Sequence, residues 1–210
     1  MNPMVDPFST PSTRGRLLVA APPLGDPNFD RSVVFVIEHD EGGAFGVVIN
    51  RPNQNLPFDA MTGELDSWRD LVAPPSRIFR GGPVQTASLI ALARVEGNGN
   101  GDDDDNDGNG NDNGNDNGNG NGARVQPVDL DIEPDDHDER PTALRVFHGY
   151  SGWGPQQLDG ELALGAWIVV DARADDVFDD SPADLWRRVL RRQPAPVSWL
   201  ADVPEDPSAN

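Results

Sequence analysis

One segment of the chain cannot take part in a folded core. Residues 97–122 contain only Gly, Asn and Asp, so they offer no apolar side chain to bury. A segment of this composition cannot offset the conformational entropy lost on ordering, and we predict a disordered insert whose deletion leaves thermal stability nearly unchanged. The fold must therefore be built from the residues on either side, within one domain spanning 14–210.

The insert also contains a partial match to a calcium-binding loop. Asp103, Asp105, Asp107 and Gly108 stand at the first, third, fifth and sixth positions of the helix–loop–helix calcium motif. The twelfth position, where that motif places a bidentate glutamate, is Gly114. Neither flank has a helical pattern. We therefore interpret the insert as a solvated low-complexity loop rather than as a calcium site.

Negative charge is concentrated in and just after the insert. The formal net charge is −20, and residues 97–140 alone contain 14 acidic residues against two arginines. The remaining residues are only moderately acidic. Because affinity for a phosphate backbone depends on basic groups that release counterions, this balance argues against nucleic acid as a partner.

Missing residue types exclude further classes of chemistry. The chain has no cysteine, and all 16 of its basic residues are arginine. Thiol nucleophiles, disulfides and Cys-ligated zinc are therefore excluded, as are Schiff-base and P-loop lysines. The sequence contains no nucleotide-binding glycine motif and predicts no cofactor.

The N-terminal residues and the short apolar runs indicate a cytoplasmic protein that does not enter the membrane. Residues 1–13 are polar and rich in Pro, Ser and Thr, without the basic start and apolar run of a secretory signal. We predict that they form a flexible segment. The apolar runs, such as VVFVI at residues 33–37, are far shorter than the roughly 20 residues that cross a bilayer as a helix.

Short β-branched runs bounded by Gly, Pro and Asp predict a fold rich in strands. The DEGGA sequence at residues 40–44 predicts a hairpin between the second and third of these runs. In chain order the predicted strands are RLLVAA (16–21), VVFVIEH (33–39), FGVVINR (45–51), RIFR (77–80), ASLIALARV (87–95), VQPVDLD (125–131), LRVFH (144–148) and AWIVVD (166–171).

Three segments have the apolar spacing of helices: residues 58–72, 155–164 and 182–192. The last is the clearest, with its arginines opposite an apolar face and Asp184 placed to pair with Arg188 at i,i+4. The Pro-rich tail that follows it is predicted to be extended.

Four motifs in a fixed order resemble those of the AlgH/YqgE family of bacterial proteins. The resemblance covers residues 14–95 and 124–210, and the insert is not part of it. It implies an α+β fold, a single domain of coiled, largely antiparallel β-sheets with packed helices, and a cytosolic location. It implies no catalytic residue. The motifs are DPNFDRSVVFVIEHDEGGAFGVVINRP (26–52), GGPV (81–84), GYSGWGPQQLDGEL (149–162) and AWIVV (166–170) followed by LWRRVLRR (185–192).

Two turns within these motifs offer groups that suit a ligand. At Asn50-Arg51-Pro52 the guanidinium of Arg51 suits a carboxylate or phosphate, or it pins its own turn by pairing with a neighbouring acid. Gly81 and Gly82 allow a ligand to approach the backbone closely, although chain reversal alone also explains them.

The third motif is predicted to connect a strand to a helix, whose first N–H groups suit an anion. Gly149 and Gly152 relieve backbone strain in this connection. Tyr150 and Trp153 either anchor it in the core or line a pocket. His148, just before Gly149, is a weaker candidate for catalysis, because the family pattern more often has a small or aliphatic residue there.

We therefore expect a non-enzymatic, regulatory module that binds a small anion or a protein partner. The residues expected to form its surface, with no metal among them, are His39, Asn50, Arg51, Gly81, Gly82, Gly149, Tyr150, Gly152 and Trp153.

The alternative is a small hydrolytic or metal-assisted enzyme. On a strand, Glu38 and Asp40 share one face and His39 takes the other. Glu38, His39 or His148 would then supply acid–base or metal chemistry, with Arg51 as the anion clamp. His39 is also readily explained as a hydrogen-bonded structural histidine. Direct DNA binding ranks last, because the sequence shows no helix-turn-helix, zinc finger or basic region.

Overall fold

The fold is built on a mixed β-sheet. The computed structural model describes residues 12–24, 26–61, 63, 65–96 and 122–204. Its strands are β1 (Arg16–Ala20), β2 (Val33–Asp40), β3 (Gly43–Val48), β4 (Pro52–Pro57), β5 (Arg77–Arg80), β6 (Val84–Glu96), β7 (Ala123–Pro127), β8 (Pro141–Trp153) and β9 (Trp167–Asp171). Across the described residues these nine strands join in the order β4-β5-β8-β3-β2-β1-β9, and β6 and β7 extend the sheet beside β8.

The strand pairings are largely antiparallel, as predicted. Among the named strands of the described ranges, only β5 and β8 run parallel. The hairpin predicted at residues 40–44 is confirmed, since Asp40 pairs with Gly43 across the turn between β2 and β3.

β8 is much longer than the strand predicted at residues 144–148. It continues to Trp153, because Ser151, Gly152 and Trp153 pair with residues 44–46 of β3. The prediction that the glycine-rich residues after His148 form a strand-to-helix connection was therefore wrong. Pairing with a neighbouring strand overrides the local preference of glycine for loops, and the chain leaves the sheet only after Trp153.

Two of the three predicted helices are confirmed: α1 (Gln157–Ala163) and α3 (Leu185–Arg191), with the short α2 (Ala174–Val177) between them. The helix predicted at residues 58–72 was wrong. The chain forms two separate 3-10 helices there, Phe58–Ala60 and Asp66–Leu71, with Gly63 at a φ of +94° between them. The C-terminal tail also contains a 3-10 helix, Val197–Asp202, where an extended chain was predicted.

Apolar side chains are buried on both faces of the sheet. The predicted face of α3 is fully buried and joins the largest core cluster, together with side chains of β1, β2, β3 and β8. Leu158 of α1 packs in a second cluster with Trp153 and Trp167. The 3-10 segments between β4 and β5 cover a third cluster that includes Ile78 and Val146. Each of these large apolar side chains contributes about 1.5–3 kcal/mol to folding.

The arginines of α3 pair with acids from neighbouring segments rather than along the helix. Arg188 contacts Asp179, not the predicted Asp184. Arg192 forms a bidentate pair with Asp176, with N–O distances of 2.6 and 2.7 Å. These pairs fix α3 against the segment that precedes it.

The predicted insert falls at the end of a β-hairpin. Residues 97–121 lie outside the described residues, and so does the partial calcium motif. On either side of them, Glu96 of β6 and Ala123 of β7 are cross-strand partners. The two ends of the insert are therefore already held together by the sheet.

Deleting residues 98–121 should leave the fold intact. The deletion joins Gly97 to Gly122, and two glycines are a favourable two-residue hairpin loop. A shorter loop costs less entropy to close. We therefore expect the free energy of unfolding to be unchanged or raised by up to about 2 kcal/mol. Thermal and urea unfolding of the two chains, each with and without calcium, test this. A markedly lower melting temperature after the deletion, or a calcium-dependent rise in the intact chain, would contradict it.

Residues 12 and 13 are held against the hairpin of β2 and β3. Residues 1–11 lie outside the described residues. Ser12 and Thr13 do not belong to the flexible segment predicted for residues 1–13, since Thr13 is buried and both residues hydrogen-bond to His39. In the part of the chain that the structure describes, no helix has the length and apolar character needed to cross a membrane.

Candidate functional site

A row of three paired residues marks the place where one face of the sheet becomes exposed. Arg80 of β5, His148 of β8 and Leu89 of β6 are neighbours across the strands, so their side chains share one face. The next row on that face, Ile78, Val146 and Ala91, is buried in the third core cluster. The cover over this face therefore ends at the Arg80 row.

His148 is held in this row by polar contacts on both sides. Its Nε2 lies 3.3 Å from the side-chain amide nitrogen of Asn53 on β4. Partial burial lowers the pKa of His148, the nearby charge of Arg80 lowers it further, and a hydrogen bond with the backbone of Thr86 opposes both effects. The lowered pKa favours the neutral imidazole at pH 7, and a neutral ring with an unprotonated Nε2 can accept from the Asn53 amide.

Arg80 is the exposed cation of this surface. Its backbone N–H donates to the carbonyl of Arg51, which brings the end of β5 beside the start of β4. Its side chain has no hydrogen-bond or ion-pair partner within the described ranges. Its charge lowers the pKa values of both Arg51 and His148. We refer to Arg51, Asn53, Arg80 and His148 as the Arg80 cluster.

Arg51 contributes to this cluster mainly by holding a loop. Its guanidinium donates to the carbonyls of Asn28 at 2.5 Å and Asp30 at 2.7 Å. Burial lowers its pKa, and nearby Asp30 partly offsets this effect. Asn50 acts on the same loop, because its side-chain amide donates to the carbonyl of Arg31. Both residues therefore fix the chain between β1 and β2.

The paired glycines serve strand packing. The N–H of Gly81 donates to the carbonyl of His148, and its carbonyl accepts from Val48 and from the hydroxyl of Ser151. A Cβ atom on Gly82 would lie 2.2 Å from the backbone of Tyr150. The space next to the glycine backbone, where a ligand was expected, is thus occupied by β8. Gly149 lies in the same place, where a bulge lets residues 85–88 of β6 pass over it.

The two aromatic residues of the third motif act as anchors. Tyr150 packs edge-on against Phe45, with ring centroids 5.0 Å apart. Trp153 is buried against Phe29 and Trp167. Gly152 lies between them as the strand partner of Phe45.

The geometry adds a residue that the sequence patterns did not single out. Oε2 of Glu161 accepts from the indole N–H groups of both Trp153 and Trp167, at 2.9 and 2.7 Å. Its other oxygen accepts from Gln157, which also receives the N–H of Gly154. The carboxylate of Glu161 therefore fixes the connection between the end of β8 and the start of α1. The i,i+4 spacing of Gln157 and Glu161 after Trp153 is the signal that points to it.

His39 lies in a separate neighbourhood. Its Nδ1 accepts the backbone N–H of Thr13 at 3.1 Å, and its Nε2 lies 3.6 Å from Oδ1 of Asp159 on α1. Its side chain is 6% exposed, so a substrate has little access to it. No contact joins it to Arg51 among the described residues, and Glu38 is exposed on the opposite face. Of the residues named for the enzyme alternative, Glu38 and His39 are therefore not brought to Arg51, whereas His148 lies with Arg51 in the Arg80 cluster.

The described residues contain no group of three or more His, Asp or Glu side chains placed to hold a metal ion. One concave feature of the described residues is an open cleft of about 690 Å³, formed by residues 70–74, 142–143 and 178–181 with Arg94, Asp175 and Arg188. It includes none of the residues expected from the sequence.

Comparison with known proteins identifies the family. A family model described as AlgH-like matches residues 17–198. The chain belongs to the AlgH-like family. A UPF0301 protein of Streptomyces avermitilis is 43% identical over 199 residues, which cover 95% of this chain and 96% of that protein. A UPF0301 protein of Mycobacteroides abscessus is 40% identical over 196 residues, covering 93% and 87%.

Two solved structures share the fold. A crystal structure of a protein from Corynebacterium diphtheriae superimposes with a TM-score of 0.72 at 28% identity, covering 93% of this chain and 94% of that one. The solution structure of the AlgH protein of Pseudomonas aeruginosa gives a TM-score of 0.58 at 25% identity, covering 96% and 100%. The family and the α+β fold implied by the sequence motifs are thereby confirmed.

Proposed function

We propose that this AlgH-like protein binds a small anion, a carboxylate or a phosphate, at the Arg80 cluster. The observation that carries the proposal is the side chain of Arg80, an exposed guanidinium that no described acid neutralises. Elsewhere on this acidic chain, arginines such as Arg69, Arg188 and Arg192 are paired with aspartates. A planar guanidinium left open beside an amide and an imidazole suits bidentate recognition of an oxyanion.

The neighbouring groups support the same ligand class. The amide of Asn53 adds a neutral donor, and His148 adds a positive charge when it is protonated. Because a bound anion favours the protonated imidazole, and because the pKa of His148 is lowered in the free protein, affinity should rise as the pH falls through its pKa. Leu89 at the end of the row allows a partly apolar ligand.

Replacing Arg80 tests the proposal. Arg80→Gln removes the charge but no described contact, so the fold should be unaffected. Anion binding should weaken by about tenfold or more, because one charge-assisted hydrogen bond is lost. Thermal shift and calorimetric titration with inorganic phosphate, glucose 6-phosphate and citrate measure this. Arg51→Ala is unsuitable, since it releases the loop before β2.

Arg140→Gln is the matched control. Arg140 is also exposed, and it pairs with Asp135 on a different segment. The proposal requires that this control bind the three anions as the unchanged chain does. If Arg80→Gln and Arg140→Gln behave alike, or if no anion binds the unchanged chain, the assignment of the Arg80 cluster is wrong.

A further inference from the structure

A buried arginine lies behind the open cleft described above and lacks part of its hydrogen bonding. Arg145 of β8 is 1% exposed. Its Nη2 donates to the carbonyls of Pro74 at 2.8 Å and Asp179 at 3.0 Å, and both of these residues line the cleft. Its Nε and Nη1 have no partner in the described part of the chain. Buried donors of this kind are normally satisfied, so an acceptor is missing.

The charge of Arg145 is only partly compensated. No carboxylate forms an ion pair with it among the described residues, and its guanidinium lies 4.3 Å from the ring centre of Phe79. Burial lowers its pKa to about 10, and only the charge of Asp179 opposes this effect. A buried cation in such surroundings is costly unless an anion is placed near it.

A second arginine of the cleft repeats the pattern. Arg94 lines the cleft, with Nη2 bound to Asp175 at 2.5 Å and its guanidinium over the ring of Phe178. Its Nε is buried without a partner in the described residues. N–H groups of two arginines therefore lack an acceptor around one cleft, and a carboxylate is an acceptor that guanidinium groups bind well.

The cleft also contains negative charge that is exposed to solvent. Asp70 and Asp180 line it, are exposed, and form no salt bridge within the described ranges. The lining also includes the apolar side chains of Leu71, Val72 and Phe178. A ligand that matches these groups carries a carboxylate, an ammonium group and an apolar side chain.

We propose that the cleft binds a small zwitterion of the α-amino-acid type. The carboxylate lies toward Arg94 and Arg145, the ammonium group toward Asp70 and Asp180, and an apolar side chain contacts Phe178 and its neighbours. The site shares no residue with the Arg80 cluster and does not depend on anion binding there.

Calorimetric titration with three related probes tests the proposal. L-Leucine has both charges, 4-methylpentanoate keeps only the carboxylate, and 3-methylbutylamine keeps only the ammonium group. We expect saturable binding of leucine. Loss of either charge should weaken binding by about tenfold or more, the change expected for one charge-assisted hydrogen bond. Absence of saturable leucine binding at millimolar concentration would overturn the proposal.

Substitutions locate the site and separate it from the Arg80 cluster. Asp70→Asn with Asp180→Asn should reduce leucine binding to the level of 4-methylpentanoate, while Arg145→Met should abolish it. The aspartate variant changes only exposed groups, so it decides the question even if Arg145→Met does not fold. Arg80→Gln should bind leucine normally. Undiminished leucine binding by the aspartate variant, or its loss in Arg80→Gln, would show that the cleft is not the site.

Discussion

Glu161→Ala should lower the free energy of unfolding by about 3 kcal/mol. The substitution leaves the indole N–H groups of Trp153 and Trp167 without their acceptor, and both side chains are buried, at 6% and 4% exposure. A buried donor that loses its partner costs about 1–3 kcal/mol, and here two donors lose one charged acceptor. Urea unfolding measures the change.

The site of the damage is also predictable. Hydrogen exchange of the indole N–H groups should accelerate for Trp153 and Trp167 but not for Trp186, whose indole donates to the carbonyl of Ala20. Glu38→Ala is the matched control, because Glu38 is an exposed glutamate on β2 and its loss should change stability by less than about 0.5 kcal/mol. Equal stability of the two variants would show that Glu161 does not fix the start of α1.

Sequence patterns predicted the parts of the fold in which local chemistry and tertiary structure agree. The α3 face and the hairpin at Asp40 are of this kind, since period, turn residues and burial all favour one answer. They failed at β8, where a glycine-rich segment is extended only because β3 pairs with it. The patterns also failed at residues 58–72, where two 3-10 helices, and not one α-helix, place the apolar side chains over Ile78.

The candidate site shows the same division. Parts of the three predicted segments do lie side by side, because Arg80 at the end of β5 pairs with His148 of β8 and donates its backbone N–H to Arg51, just before β4. The residue that faces solvent is nevertheless Arg80, the neighbour of Gly81, and its exposure depends on where the cover over Ile78 ends. The sequence also does not indicate which groups Arg51 contacts, because it donates to the backbone carbonyls of Asn28 and Asp30 and not to side chains. Sequence patterns locate the motifs, and only the packing decides which side chains are free.

Gly149→Ala should be among the most damaging single substitutions, with a loss of about 3 kcal/mol or more. Gly149 has a φ of +68°, which costs an L-residue about 1–2 kcal/mol. A Cβ atom there would also lie 2.6 Å from the carbonyl oxygen of Gly82 and 3.0 Å from that of Val84. Relieving these contacts requires β6 to move away from β8 at the bulge, which also disturbs the surroundings of His148.

Two other glycines separate the conformational cost from the steric one. Gly165, after α1, has a φ of +72° but open space where a Cβ atom would lie. Gly165→Ala should therefore lower the free energy of unfolding only by the conformational cost of about 1–2 kcal/mol. Gly160, inside α1, has open space and no positive φ, so Gly160→Ala should stabilise the protein by about 0.5–1 kcal/mol. Urea unfolding of the three variants measures both terms. If Gly149→Ala costs no more than Gly165→Ala, the close packing of Gly149 against the β5–β6 turn does not contribute to stability, and the Arg80 cluster is not rigidly held from that side.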